Sequence, residues 1–252
     1  MIIAITGSIG SGKSGVARYL AAISKAEHCD TDVLCRDLLE KGQPGWRSVV
    51  EKWGNRFVEG DGSIDRSSLR IAIFEDERLR RELENMLHPH VQKAVNHLYE
   101  KILGQEQMAT FKNGPFLQSL RCARKFYPRN INYMSPVKFP HAPRPWRKNL
   151  IFQGSQMLIV EIPLLFEVGW QDDFDCVVTV FAEREVCVQR VMARDAVTAE
   201  QAEKVYDSQM DIHEKMNRSD CIVDNSASLE NMQRQVEDLF RDLHLQRNKS
   251  RE

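Results

Sequence analysis

Short apolar runs alternate along the chain with segments of helical spacing. Apolar runs at 2–5, 157–162 and 176–181, and a shorter one at Ile222 and Val223, contain several β-branched residues. Such runs are typical of strands that are covered on both faces in a parallel sheet. Between and after them, apolar residues recur every three or four positions, most clearly at 229–243, and predict helices. The pattern predicts an α/β fold in which helices flank a parallel sheet.

Two segments depart from this alternation. Residues from about 32 to 104 carry little strand signal and several helical stretches, which predicts a helical subdomain over one edge of the sheet. Residues 105–156 hold six of the nine prolines and nine Lys or Arg against a single acid, Glu106, and predict a long, partly disordered loop. We therefore expect one domain, with its core at about 1–31 and 157–245 and an insertion at 105–156.

Composition and charge narrow the function classes. The 252 residues carry a formal net charge of −1, which indicates no overall preference for nucleic acids or membranes. Six cysteines without a C-x-x-C pair indicate reduced thiols rather than disulfides or a zinc site. No apolar run approaches the roughly 18 residues of a membrane span, and the first strand leaves no room for a signal peptide. We expect a cytoplasmic protein without a membrane partner.

The stretch between the first strand and the first helix matches a phosphate-binding loop. "GSIGSGKSG" fits G-x-x-x-x-G-K-[ST], in which backbone N–H groups at a helix N-terminus surround a triphosphate. Lys13 is expected to reach the β and γ phosphates, and the Ser14 hydroxyl to hold Mg²⁺. The strand–loop–helix context distinguishes this loop from a chance Gly/Ser turn and predicts a P-loop NTPase-type sheet. The predicted ATP-binding residues are Gly7, Ser8, Ile9, Gly10, Ser11, Gly12, Lys13, Ser14 and Gly15.

A pair of acidic residues follows at the predicted end of a short second strand. Asp30 and Asp32 lie two positions apart, so on a strand both carboxylates point the same way, toward the edge where parallel sheets bind ligands. One of them can then take a proton from an acceptor hydroxyl. Pairs of Asp residues also form turns and helix caps, and Asp30 as the N-cap of the following helix is the alternative.

The order of motifs along the chain resembles that of the dephospho-CoA kinases. A P-loop alone is shared by many NTPases, whereas this ordered set is specific to one family. The resemblance covers about 1–103 and 157–245 and leaves the basic segment as an insertion. Its motifs are the P-loop, Asp30-Thr31-Asp32 with Arg36, Pro44-Gly45, "IDRSSLRIAIF", "LENMLHPHV", "EIPLLFEVG", "QRVMARD" and "SDCIVDN".

This resemblance implies a reaction and its cofactor. The γ phosphate of ATP is transferred to the 3′-hydroxyl of the ribose of dephospho-CoA, which gives CoA and ADP in the last step of CoA biosynthesis, with Mg²⁺ as the cofactor. By similarity Asp32 is the general base, and Asp30 orients it or contacts a metal-bound water. The alternatives are a P-loop kinase of another nucleoside or nucleotide, and a weakly catalytic nucleotide-binding protein. The sequence does not give the oligomeric state.

Three more charged residues are expected around the phosphates. Arg190 and Arg194 lie four apart, so on a helix they share a face and can close over the triphosphate as a lid. The family match favours this role over a solvated helix face. Glu161 ends the predicted third strand, where P-loop enzymes usually carry a second magnesium-associated carboxylate. A salt bridge from Glu161 to a nearby basic group is the structural alternative.

The acceptor is expected to contact the helical subdomain. The resemblance assigns Arg36, Arg66 and His88 to acceptor binding, because the pyrophosphate of dephospho-CoA needs cations and donors. Taken singly, Arg66 can cap a helix, and His88, which precedes Pro89, can end or kink one. The role of Arg70 stays open.

The loop after the third strand is the second candidate acceptor contact. Leu164 and Phe166 are apolar core by default, although their loop position can bring them against adenine or the pantetheine arm. Glu167 ends the same motif, "EIPLLFEVG", and is assigned to the substrate by similarity.

Three features depart from the family pattern. Gly15 stands where Ser or Thr is usual, which removes a hydroxyl near the α phosphate and adds backbone entropy worth about 1 kcal/mol. The segment "SKAEHC" makes the second strand unusually polar, which weakens the expected positioning of Asp32. The basic and aromatic residues of 105–156 suggest nucleic-acid contacts. Because the segment contains no recognisable binding module, we favour a solvated loop and do not expect a nucleic-acid partner.

Overall fold

A computed structural model describes residues 1–103 and 157–249 of the chain, so the predicted loop at 105–156 lies outside the described residues. Short 3₁₀ turns occur at Gly54–Phe57 and Gln171–Asp173. The helices and strands are, in chain order, β1 (Ile2–Gly7), α1 (Lys13–Ser24), β2 (Glu27–Asp30), α2 (Thr31–Leu38), α3 (Pro44–Trp53), α4 (Arg66–Glu75), α5 (Glu77–Leu103), β3 (Leu158–Glu161), β4 (Cys176–Phe181), α6 (Arg184–Asp195), α7 (Ala199–Asp207), α8 (Ile212–Arg218), β5 (Cys221–Asp224) and α9 (Leu229–Lys249).

The strands form a five-stranded sheet in the order β2-β3-β1-β4-β5 within the described residues. The central strand β1 pairs in parallel with β3 and β4, and β4 pairs in parallel with β5. This register sets Ile5 beside Glu161 and Gly7 beside Val180. The carboxyl ends of parallel strands meet at one edge, where open α/β sheets bind ligands. The predicted parallel sheet flanked by helices is confirmed.

Helices α1 and α9 pack on one face of this sheet. Val16 and Leu20 of α1 meet Val236 and Leu239 of α9, and all four side chains are fully buried in a cluster with the strand residues. Each such side chain contributes roughly 1.5–3 kcal/mol through its burial. The predicted apolar stripe at 229–243 is therefore confirmed, except that Leu229, the first residue of α9, is 60% exposed.

The chain divides into two compact units, Cys29–Lys101 and the described part of the remainder. The unit Cys29–Lys101 contains α2, α3, α4 and most of α5. The side chains of Val49, Phe57 and Leu83 contribute to its own small core. Asp65 caps α4, because its carboxylate accepts the backbone N–H of Ser68 at 3.0 Å. Residues 32–104, predicted as a helical subdomain, largely coincide with this unit.

The described cysteines behave as small apolar residues. Cys29, Cys176, Cys187 and Cys221 are buried, Cys35 is half-buried, and all five are free thiols. Burial raises the pKa of Cys29 and of Cys35 to about 11, so both stay protonated at neutral pH. Among the described helices, no stretch has the length and apolar character required to cross a bilayer.

Candidate active site

The loop between β1 and α1 has a backbone that only glycine adopts easily at two positions. Gly10 and Gly12 have φ angles of +78° and +88°. A Cβ atom at Gly10 would lie 2.4 Å from the carbonyl oxygen of Cys187, and one at Gly12 would lie 2.1 Å from Nδ2 of Asn225. Gly12 also precedes the first residue of α1, so the loop turns directly into a helix N-terminus. This is the geometry that places backbone N–H groups around an anion.

Two side chains of the loop are held near this helix start. Lys13 is buried, and its Nζ donates to the carbonyl oxygen of Ser8 at 3.1 Å. Ser14 donates its hydroxyl to Oε1 of Glu161 at 2.6 Å. Glu161 is the last residue of β3 and is only 5% exposed. The sheet register thus brings two predicted metal-associated residues into direct contact.

The donor set at this contact fits Mg²⁺. A hydroxyl and a carboxylate are oxygen ligands, and Mg²⁺ in phosphoryl-transfer sites uses one or two carboxylates together with substrate phosphates. The described residues contain no cluster of three or more His, Cys, Asp or Glu side chains suited to a metal, so no all-protein cage is present among them. The alternative prediction for Glu161 is a salt bridge to a basic group. A basic side chain is indeed near, because Nε2 of His28 lies 3.7 Å from Oε2 of Glu161.

The two arginines of α6 have different environments. Arg190 donates through Nη1 to the carbonyl oxygen of Gly10 at 3.3 Å and through Nη2 to that of Asn225 at 3.0 Å. Asn225 in turn donates through Nδ2 to the carbonyl oxygen of Ser11 at 2.8 Å. Arg194 instead forms a two-point pair with Asp195, at 2.8 and 2.7 Å, and its side chain is 60% exposed. Arg190 therefore lies against the loop, whereas Arg194 is held at the surface.

A cavity of about 300 Å³ opens beside the start of α1. A Cβ atom at Gly15 would meet nothing within 4 Å, so this departure from the family pattern leaves open space rather than a packed backbone. The side chains that line the cavity are one cation, one amide and several apolar groups. The lining residues are Gly12, Gly15, Arg190, Asn225, Ala227, Leu229 and Met232.

Residues of α7 and the segment after it contact the same loop. Gln209 accepts the backbone N–H of Ile9 through Oε1 at 2.7 Å, and Tyr206 is hydrogen-bonded to Ser8. Neither residue is among the predicted site residues. Polar residues in a surface helix carry no sequence signal that separates a loop contact from a solvated face.

The acidic pair at the end of β2 differs from the strand geometry expected for it. The strand ends at Asp30, and Asp32 is already in α2. The carboxylate of Asp30 accepts the backbone N–H of Asp32 at 2.8 Å, which makes Asp30 the N-cap of the helix. The two carboxylates therefore do not lie on one strand, contrary to the prediction, and the N-cap alternative is confirmed. Asp32 itself is exposed in the first turn of α2.

The predicted acceptor residues of the helical unit are mostly tied to one another. Arg66 pairs with Glu40 at 2.5 Å and also donates to the carbonyl oxygen of Arg36 at 3.2 Å. Arg36 donates through Nε to the carbonyl oxygen of Asp32 at 3.2 Å. Arg66 does not cap α4, since Asp65 has that role.

His88 is half-buried in the same unit, and the helix around it is continuous. α5 runs from Glu77 to Leu103 with Pro89 inside it. The alternative in which His88 and Pro89 end a helix is thus wrong.

The loop after β3 is anchored by a buried lysine. Lys215 of α8 is fully buried, and its Nζ lies 2.7 Å from Oε1 of Glu167 and donates to the carbonyl oxygen of Pro163 at 3.1 Å. Burial lowers the pKa of Lys215, while the carboxylate of Glu167 opposes that shift. In this structure Glu167 therefore holds the loop. Lys215 occupies the buried face of α8 together with Ile212, three residues earlier, and that spacing is the sequence signal for it.

Of the two apolar residues predicted to be core by default, one is buried in the loop after β3. Phe166 is 3% exposed and carries the guanidinium of Arg218 4.8 Å above its ring. Leu164 is half-buried, so of the two predicted contacts only Leu164 keeps substantial exposed surface.

Comparison with known proteins decides which family shares this arrangement. The sequence matches the dephospho-CoA kinase family model over residues 1–124 and 129–231. The chain belongs to the dephospho-CoA kinase family. A dephospho-CoA kinase of Geobacter sulfurreducens is 30% identical over 95% of this chain and 96% of its own length. A dephospho-CoA kinase of Fusobacterium nucleatum is 26% identical over 94% of this chain and 95% of its own length.

Solved structures agree with the fold. TT1252 from Thermus thermophilus superposes with a TM-score of 0.63 at 26% identity, over 96% of this chain and 97% of that one. The dephospho-CoA kinase from Campylobacter jejuni superposes with a TM-score of 0.52 at 21% identity, over 96% of both chains. The predicted family is confirmed. Its extent differs from the expectation, because the family match includes all of 105–156 except 125–128.

The anchor of the loop after β3 leads to a stability prediction. Glu167→Gln leaves the fully buried ammonium of Lys215 without its counter-charge, and we expect a loss of about 3 kcal/mol in the free energy of unfolding. Lys215→Met leaves a carboxylate that is already 22% exposed, so its loss should be smaller. Urea unfolding of the two variants and the parent measures the difference.

The pH dependence of the same variants gives a second readout. The pKa of Lys215 is lowered in the folded state, so the unfolded chain binds this proton more tightly and the free energy of unfolding rises as pH increases toward the ordinary lysine pKa of about 10.4. Glu167→Gln should make this rise steeper, and Lys215→Met should abolish it. A larger loss for Lys215→Met than for Glu167→Gln at pH 7 would contradict the assignment.

Proposed function

We propose that the protein transfers the γ phosphate of ATP to the 3′-hydroxyl of the ribose of dephospho-CoA. The observation that carries this proposal is the contact between Ser14 and Glu161 at 2.6 Å, beside a glycine-rich loop, in a chain of this family. The hydroxyl at the start of α1 and the buried carboxylate at the end of β3 are oxygen donors of the kind that Mg²⁺ binds. The acceptor follows from the family.

ATP is proposed to lie along the loop and into the adjoining cavity. The N-terminus of α1 and Lys13 offer the positive end of a helix dipole and an ammonium to the phosphates. The cavity of about 300 Å³, whose lining includes Met232 and Arg190, suits a planar base with a π face. The carbonyl oxygens of Gly10 and Asn225 already hold the guanidinium of Arg190, so its side chain loses little conformational entropy when ATP binds.

Mg²⁺ is the proposed cofactor. Ser14 and Glu161 would hold it, and the ion supplies charge neutralisation for the developing oxyanions of phosphoryl transfer. The chain's own contribution is to keep the hydroxyl and the carboxylate 2.6 Å apart at a partly buried position, where electrostatic interactions are stronger than in bulk water.

Asp32 is the proposed general base. It lies in the first turn of α2, where the helix dipole stabilises the ionised carboxylate that a base requires. Asp30 fixes the backbone at this residue through its cap to the N–H of Asp32. Its proposed role is thus to orient the base. The cytoplasmic location, the absence of a nucleic-acid partner and the acceptor contacts of Arg36, Arg66, His88 and Leu164 stay predictions.

The reaction is tested by ADP release with Mg²⁺ and ATP. Dephospho-CoA, a nucleoside panel and no acceptor are compared for the parent protein and for Asp32→Asn. We expect dephospho-CoA alone to stimulate release, and Asp32→Asn to lower the stimulated rate by about 10² to 10⁴, because a positioned base contributes that much. Asp37→Asn, an exposed acid of the same helix, is the matched control.

Two results would overturn parts of this proposal. If a nucleoside stimulated ADP release and dephospho-CoA did not, the acceptor would be a nucleoside and not dephospho-CoA. Unchanged stimulation in Asp32→Asn would remove the base assignment while leaving the acceptor intact.

Gly15 provides a separate test of the ATP site. Gly15→Ser adds a hydroxyl in open space near the α phosphate, and one hydrogen bond to a charged group should tighten ATP binding about tenfold. Gly15→Ala removes the backbone freedom of glycine without adding a hydroxyl, so it should raise the free energy of unfolding by up to about 1 kcal/mol and leave ATP affinity unchanged. Isothermal titration and urea unfolding separate the two effects. Equal ATP affinity of both variants would show that the phosphate does not reach this position.

A further inference from the structure

His28 is a polar residue in a strand position where the family pattern has an apolar one. It lies on β2, next to β3 in the sheet, and its side chain is 24% exposed. Its Nε2 atom lies 3.7 Å from Oε2 of Glu161, whose side chain is 6% exposed. The proposed reaction assigns no role to His28. Its position beside the candidate metal carboxylate suggests one.

The carboxylate of Glu161 makes different contacts at its two oxygens. Oε1 accepts the hydroxyl of Ser14 at 2.6 Å, and Oε2 faces the imidazole of His28. An ionised carboxylate at this depth requires donors, because it has lost most of its water. The Nε2 atom of His28 is itself buried and makes no hydrogen bond to another described residue. A neutral imidazole protonated at Nε2 would point its single N–H donor at Oε2.

We propose that His28 is a positioning residue for Glu161. Its ring N–H interacts with Oε2 and fixes the rotation of the carboxylate, so that Oε1 stays with Ser14 and the metal. The separation of 3.7 Å exceeds hydrogen-bond length by about 0.7 Å, so the proposed contact requires a rotation of one of the two side chains. This inference rests on the proposed function, because that function assigns the metal to Glu161. It adds a residue that acts through the carboxylate rather than on the substrate.

The test compares three substitutions that separate the donor from the ring. Gln places an amide nitrogen close to the position of Nε2, Asn places one close to Nδ1, and Val fills the strand without any donor. Mn²⁺ replaces Mg²⁺ as the probe, and its dissociation constant in the presence of ADP is measured by electron paramagnetic resonance. Loss of a residue that orients a metal ligand typically weakens metal binding by 10–100-fold. We expect His28→Val and His28→Asn to weaken Mn²⁺ binding about tenfold, and His28→Gln to stay within about threefold of the parent.

Two controls distinguish positioning from folding. ADP binding in EDTA should be the same in all four proteins, because the phosphates contact the loop and not β2. The melting temperature of His28→Val should also agree with that of the parent, since Val favours strands. A variant that loses ADP binding in EDTA together with Mn²⁺ binding would show a general structural role and overturn the proposal.

Three further results would overturn it. Equal Mn²⁺ affinity in all four proteins would make His28 a bystander. Equal weakening by His28→Gln and His28→Val would show that an N–H donor at Nε2 is not what matters. A directly coordinated ¹⁴N signal in the pulsed spectrum of the parent would make the imidazole a ligand. None of these measurements depends on the acceptor, so failure of dephospho-CoA to stimulate ADP release would affect the proposed function alone.

Discussion

The structure of the site depends on one buried carboxylate at the end of β3. The parallel register between β1 and β3 sets Glu161 beside Ile5, two residues before the glycine-rich motif begins at Gly7. Removing an ionised carboxylate from water costs several kcal/mol unless donors replace the water. Ser14 provides one such donor, and it does so because the left-handed backbone at Gly12 starts α1 directly after the loop. The positions of α1, of the Ser14 hydroxyl and of the Glu161 carboxylate therefore depend on one another.

The same requirement recurs at other ends of the strands. Asp220 accepts the backbone N–H of Val177 at 2.8 Å, and Asp175 accepts that of Ile2 at 2.7 Å. Lys215 is the positive counterpart, since it donates to the carbonyl oxygen of Pro163. Each of these side chains satisfies a backbone group that the sheet leaves unpaired at the start or end of a strand. Charged side chains at these points therefore tie the segments that flank the strands to the sheet.

The sequence predicts the strands well because they are short apolar runs with punctuation, and it predicts the loop because its glycines have a backbone requirement. It fails where tertiary contacts decide. Asp32 is expected on a strand but lies in the first turn of α2, because the cap formed by Asp30 ends β2 and starts the helix. Leu229 fits the apolar stripe of α9 but lies at its first turn, beside the cavity. No pattern in the sequence distinguishes Glu167 as an anchor from Glu167 as a substrate ligand, since that depends on a lysine 48 positions away.

The two arginines of α6 show how the site can be ordered at one point and adaptable at another. Arg190 is held by carbonyl oxygens of the loop and of Asn225, so its position is set before any nucleotide binds. Arg194 is held by an exposed pair with the adjacent Asp195, and pairs of this kind contribute only about 0–1 kcal/mol. In the proposed reaction, release of Arg194 toward a phosphate is therefore weakly opposed, whereas displacement of Arg190 would disrupt the loop. Helical spacing places Arg190 and Arg194 on one face of α6. The partners of Arg190 give it a structural role, whereas the weak surface pair of Arg194 lets it move toward a phosphate in the proposed reaction.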